Sequence, residues 1–213
     1  MPNMTLSPET SPLRLLQLEV TRLKEENREL RSELAVLHSS IRALSALQDL
    51  IQRLTPTTDV LALLGDLLAS VLTVVGASDG SLLLVDDDTK ELVFAVVHGQ
   101  AKERLTGYRL SHGQGIAGWV ASHHLPQVVQ DVRRDTRFSP LVDETFDFQT
   151  RSLVAMPLLD GDRVLGVIEA LNKASDRPFT QVDHDLLRVV AQLAATVLVR
   201  AEAVTGEGPA AKR

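Results

Sequence analysis

The chain has no cysteine in its 213 residues. This excludes disulfides, thiolate metal sites, thiol catalysis and a chromophore held by a thioether, and a reducing cytoplasm is the simplest home for it. Positive charge is also scarce: 22 Lys and Arg face 28 Asp and Glu, a formal net charge of −6. That balance repels phosphate backbones and anionic headgroups, so neither nucleic acid nor a membrane surface is an expected partner. Residues 1–12 hold three prolines and no Lys or Arg. They read as a flexible lead-in, without the basic region of a leucine-zipper DNA binder or the basic start of a secretory signal. The most apolar window, Val60 to Ala77, carries Asp66 at its middle. A charge at the centre of a bilayer costs about 2.5–3.5 kcal/mol, so the window reads as a buried helix. No nucleophile elbow or phosphate-binding lysine loop is present. His112, His123 and His124 lack the i, i+4 spacing and the carboxylate neighbour of a metal site, so no metal is expected.

What is present begins with a heptad repeat. Leu16, Leu23, Leu30, Leu37, Leu44 and Ile51 share one position, and Leu13, Val20, Asn27, Leu34, Ile41 and Gln48 share the other. Leucine at d and mostly aliphatic residues at a predict a parallel two-stranded coiled coil over residues 13–54, with Asn27 fixing register against its twin. Glu19, Glu26 and Glu33 at g would meet Lys24, Arg31 and His38 at e of a parallel partner. A solitary solvated helix or an antiparallel bundle arm is the alternative. The repeat fades at Thr55-Pro56, and a globular domain is expected over residues 57–204, with a short flexible tail at 205–213. Its first helix starts near Thr58 or Asp59 and its last spans about Gln181 to Ala203, both apolar over more than one face. Between them, Ser81–Val85 and Leu92–Val97 form a hairpin around Asp86-Asp87-Asp88, whose carboxylates splay from a solvated turn instead of converging on a metal. Short strands follow at Tyr108–Leu110 and Val128–Val129, with a helix from Ile116 to about Ser122 and an irregular lid over residues 131–148. Arg151–Leu159 pairs with Val164–Lys173 around Asp160-Gly161-Asp162. The expected fold class is α+β: an antiparallel sheet with helices on both sides in α/β/α layers, plus the N-terminal coiled-coil helix.

Val164 to Leu171 reads as a central strand buried on both faces and ending in Asn172-Lys173. Asp176-Arg177-Pro178 breaks it, Thr180 is competent to cap the next helix, and Asp183 falls in that helix's first turn. Lys173 and Asp183 are thus placed to meet, with Phe179 filling the corner. Asn172, Lys173, Phe179 and Asp183 resemble the signature of the GAF domain family of small-molecule sensors, with His184 where that signature has Glu. Further blocks agree in order: Gly113 to Ala121, Val132 through Asp135 to Phe138, and Arg151 to Leu158. The resemblance covers about Thr58 to Ala203. It implies a GAF-like fold, a role in signal transduction as a regulator of bacterial type, and a pocket between the sheet and a cover made by the Ile116 helix, the lid and the Val128 strand. Within the family Lys173 and Asp183 look like a lock joining strand to helix. The fold hosts many ligands or none, so it does not name one; a covalent bilin and methionine-sulfoxide reduction both need cysteine, and His184 weakens a cyclic-nucleotide assignment.

The candidate ligand-binding residues are Arg109, Ser111, Gly113, Gly115, Ile116, Trp119, Arg151 and Glu169. Gly113, Gly115 and Gly118 either bring the backbone close to a ligand, with free N–H groups at the helix start, or make the turn and the helix packing. Trp119 either stacks on a planar ligand or packs its helix on the sheet. Glu169 is the polar member of an apolar strand; facing inward it needs a partner, and Arg109 and Arg151 are the candidates. Two functions compete. One is a non-enzymatic dimeric sensor that binds a small molecule and signals to an unidentified partner protein. The other is a ligand-free adaptor for protein association.

Overall fold

The structure, a computed structural model, describes residues 12–28, 30, 59–174 and 177–205. Leu34, Leu37, Ile41 and Leu44 of the expected seam, the junction at Thr55-Pro56 and the tail from 206 lie outside the described residues. The chain divides into two units, Met1–Ala46 and Leu47–Arg213. In the first, residues 12–28 form helix α1, every side chain of which is exposed. Leu16, Leu23 and Leu30 are each more than half exposed, so the leucine stripe lies uncovered in the single chain.

The second unit opens with α2 (Val60–Val75), where the Asp59 carboxylate accepts from the Ala62 N–H at 3.0 Å. This satisfies one of the free donors of the first turn, and Gly76 closes the helix in the left-handed region at φ 67°. The strands are β1 (Ala77–Val85), β2 (Leu92–His98), β3 (Arg109–Leu110), β4 (Gln127–Val129), β5 (Leu153–Asp160) and β6 (Arg163–Lys173). They form one sheet in the order β3-β2-β1-β6-β5-β4, and every neighbouring pair is antiparallel. β1 starts at Ala77, four residues before the expected Ser81, because its first residues already pair with the end of β6, Ala77 opposite Lys173. Between β2 and β3 lies a turn of helix, α3 (Lys102–Leu105), which carries no periodic signal of its own. α4 (Gly115–His123), a 3-10 turn at Val132–Arg134 and α5 (Leu141–Phe146) precede β5, and α6 (Gln181–Thr205) follows β6.

Strand alternation splits the core in two. Leu82, Met156, Ile168 and Ala170 face α2 and α6, in a cluster with Leu64, Leu68, Leu187 and Leu198. Leu83, Leu153, Ala155 and Val167 point the other way, toward α3, α4 and the lid. At Gly80 the sheet has no side chain: a Cβ there would lie 2.7 Å from Leu72 Cδ2, so α2 rests directly on the backbone of β1. Helices thus cover both faces of an antiparallel sheet, as expected, and the central strands are β1 and β6.

Candidate functional site

The end of β6 is held by a polar corner. Asn172 is buried and takes φ 55°, a left-handed conformation that asparagine tolerates better than most residues. Its Oδ1 accepts from the Arg151 N–H at 2.8 Å and its Nδ2 donates to the Gln149 carbonyl at 2.9 Å, tying β6 to the approach of β5. Lys173 donates to Asp183, and its ammonium lies 5.6 Å from the centre of the Phe179 ring. Asp183 Oδ2 also accepts from the Thr180 N–H at 2.7 Å, while the Asp183 N–H reaches Thr180 Oγ1 at 3.3 Å, a reciprocal cap on α6. Burial pushes the Asp183 carboxyl up, but the Lys173 and Thr180 donors more than offset it and hold the group below the usual carboxylate range. None of these residues lines the hollow described next, so their geometry is that of a strand-to-helix lock.

The hollow lies on the other face of the sheet. About 80 Å³ of it is open to the centres of water molecules, several times the roughly 10–15 Å³ that one water needs. Glu169 of β6 and Leu171 form part of the floor; Gln114, Gly115, Ile116 and Ala117 bring the start of α4 to its wall. Phe94, Phe138 and Phe148 make the surface largely apolar. Ser81 and Glu169 are direct cross-strand partners, and Ser81 Oγ donates to Glu169 Oε2 at 2.9 Å. Among the described residues this hydroxyl is the one donor to a carboxylate only 7% exposed. Burial therefore dominates over the Ser81 hydrogen bond and pushes the Glu169 carboxyl up to about 7. The second acid of the lining, Asp143, accepts on both oxygens, from the Thr150 N–H at 2.8 Å and from Thr150 Oγ1 at 2.7 Å, which ties α5 to the entry of β5.

Of the expected ligand residues, Gly115, Ile116 and Glu169 line this hollow. Arg109, Ser111, Gly113, Trp119 and Arg151 do not. The expectation that Arg109 or Arg151 pairs with Glu169 is corrected. β3 is the edge strand, three strands from β6, a separation of roughly 14 Å, and the nearer acids Asp86 and Glu91 take the Arg109 guanidinium. Arg151 is exposed, and only its backbone is tied into the corner. Ser111 is exposed, its N–H donating to Gln114 Oε1 at 3.2 Å. Trp119 is stacked by the His123 ring at 4.2 Å and covered by the Arg137 guanidinium at 4.5 Å, so its π surface is engaged within the protein. Gly113 and Gly118 meet backbone to backbone: a Cβ on Gly118 would lie 2.5 Å from the Gly113 carbonyl carbon. In the first hairpin the Asp86 and Asp87 carboxylates take different partners. Asp86 accepts from the Thr89 and Asp88 N–H groups at 3.1 and 3.0 Å, and Asp87 turns to Arg163. Sequence reading missed Ser81, Asp143 and Thr150. Ser81 carries a faint signal as the hydroxyl that opens an apolar strand. Asp143 belongs to a lid without periodicity, and Thr150 to the short link between that lid and β5.

A layered sheet with a hollow roofed on one face and two long helices on the other defines the class as an α+β domain. The GAF domain model matches residues 59–198, and the chain belongs to the GAF domain family. A segment of 72 residues is 38% identical to the mouse (Mus musculus) cone cGMP-specific 3',5'-cyclic phosphodiesterase subunit alpha', covering 34% of this chain and 8% of that protein. The chain thus matches only a small part of that relative's length. Among solved structures, the GAF domain of a phosphoenolpyruvate-protein phosphotransferase from Coxiella burnetii superposes with a TM-score of 0.67 at 16% identity, over 79% of this chain and 97% of that one. A methyl-accepting chemotaxis protein superposes with a TM-score of 0.65 at 22% identity, over 76% and 99%. At these identities the structural likeness establishes the fold. Among the described residues no helix is long and apolar enough to cross a membrane, and no group of three or more His, Cys, Asp and Glu is placed to hold a metal.

Proposed function

We propose that this GAF protein is a cytoplasmic, dimeric sensory and regulatory module, not an enzyme: a small molecule enters the hollow on the Glu169 face, and the change is passed through paired helices to a partner protein. The observation that carries this reading is Glu169, a buried carboxylate with a single hydroxyl partner, facing a largely apolar hollow. A domain whose sheet face served packing alone would gain by replacing such a group with an apolar side chain, since an unpaired buried charge is costly. A ligand that completes its hydrogen bonds removes that cost and binds the closed arrangement better than the open one, which is what signalling requires. The exposed stripe of Leu16, Leu23 and Leu30, with Asn27 on it, supports pairing of two chains. The sensory assignment is in keeping with the chemotaxis protein of the same fold.

The test is native mass spectrometry of gently purified protein, followed by metabolite extraction. Retention of a stoichiometric small molecule by a dimer is the expected result. A dimer that carries nothing and takes up nothing when incubated with a metabolite extract would instead mark the chain as a ligand-free adaptor for protein association.

A further inference from the structure

We infer that the hollow selects small amines, with the Glu169 carboxylate receiving the ligand's ammonium group and the phenylalanine- and leucine-rich walls holding an apolar body. This rests on the hollow being the ligand site, and it goes further by naming the ligand's chemical class.

The charge of the lining sets the class. Two acids, Glu169 and Asp143, face the hollow, and no Lys, Arg or His is among its lining residues. An anionic ligand, including the phosphodiester of a cyclic nucleotide, would meet like charge in a low-dielectric site with no cation to offset it. The two acids differ in what they have left to offer. Each oxygen of Asp143 already accepts from Thr150, which fixes that side chain in the wall and leaves it less acceptor capacity than Glu169. Glu169 receives one hydrogen bond, on Oε2 from Ser81, and retains most of its acceptor capacity. An ammonium group suits that vacancy: it supplies donors and the compensating charge together, and charge-assisted hydrogen bonds are about twice as strong as neutral ones. Burial raises the affinity of Glu169 for a proton, and an approaching ammonium reverses the preference and keeps the carboxylate ionised. The remaining polar side chains of the lining, Gln114, Ser139 and Thr150, do not titrate, so Glu169 and Asp143 are the ionisable groups facing the site from any element around it. Phe94, Phe138 and Phe148, with Leu105, Leu110 and Leu153, offer the amine's carbon skeleton apolar surface.

Three probes of one shape and different charge test this on the full chain: benzylamine, benzyl alcohol and benzoate, titrated calorimetrically near pH 8 into wild type and Glu169→Gln. The amide preserves the size of the side chain and an acceptor for Ser81. Benzylamine is expected to bind at least about tenfold more tightly than either other probe, and Glu169→Gln to reduce that advantage to about twofold or less. As a check that needs no variant, the wild-type preference should shrink likewise near pH 5.5, where Glu169 is protonated while benzylamine stays cationic. Equal or tighter binding of benzoate or benzyl alcohol overturns the amine assignment and leaves the hollow as a ligand site. An amine preference that survives both Glu169→Gln and acidification overturns the role of Glu169. Failure of all three probes to bind in the millimolar range overturns the amine assignment and the hollow as a ligand site together.

Discussion

At the scale of the residue, Glu169 gives the domain an unusual dependence on pH. Its carboxyl is held near 7 in the folded protein, above its ordinary value of 4.5, so the folded state binds more protons than the unfolded one between those limits. Stability from this group is therefore fully present below about pH 4.5 and is lost as pH rises toward 7, by on the order of 3 kcal/mol. Urea denaturation of ligand-free protein at pH 5 and pH 7.5 should show Glu169→Gln losing much less stability than wild type over that interval; equal losses would refute the assignment. Asp183 behaves oppositely. Its carboxyl is lowered, so its contribution is present above the ordinary carboxylate range and lost on strong acidification. Because Asp183 both pairs with Lys173 and caps α6, Asp183→Ala should cost about 3–5 kcal/mol at neutral pH, read as a fall in denaturation midpoint. Both residues were legible in the sequence, one as a polar interruption of an apolar strand and the other from its spacing after Lys173. Ser81 was not, because a hydroxyl in a strand satisfies its hydrogen bond in many ways and only the register opposite Glu169 makes it a partner. The guanidinium partners assigned to Glu169 failed for a similar reason: charge complementarity carries no distance until strand order is known.

At the scale of the element, the long pieces were readable and the short ones were not. β6 declares itself by an apolar run interrupted only at Glu169, and α2 and α6 by apolar periodicity with Asp59 and Thr180 at their starts. α3 and α5 span four and six residues, too few to show a period, and they take their shape from the sheet they cover. α4 lies between these cases. Its start was placed within one residue, but its glycines have a packing role that only the fold reveals, since Gly118 leaves no room for a side chain over Gly113. Gly118→Ala should therefore destabilise the domain by about 1–3 kcal/mol despite the better helix propensity of alanine, and chemical denaturation reads the difference. A gain in stability would show that the loop before α4 yields freely.

At the scale of the whole molecule, the leucine stripe of α1 predicts the state of assembly. Replacing Leu16, Leu23 and Leu30 together by Ser should convert a dimer to a monomer in sedimentation at micromolar concentration, with the circular dichroism of the sheet domain retained. Asn27→Leu should raise the midpoint of thermal unfolding while broadening the range of oligomers. A wild-type monomer at micromolar concentration would remove the basis for pairing through this helix. Within the sheet domain, the missing side chain at Gly80 has a further consequence. Gly80 precedes Ser81 and stands opposite Ala170, the neighbour of Glu169, so the floor of the hollow and the seat of Leu72 are two sides of one peptide plane. The partition there is one backbone thick: a shift of β1 at Gly80 is expected to reach Leu72 of α2 with no intervening side chain to absorb it.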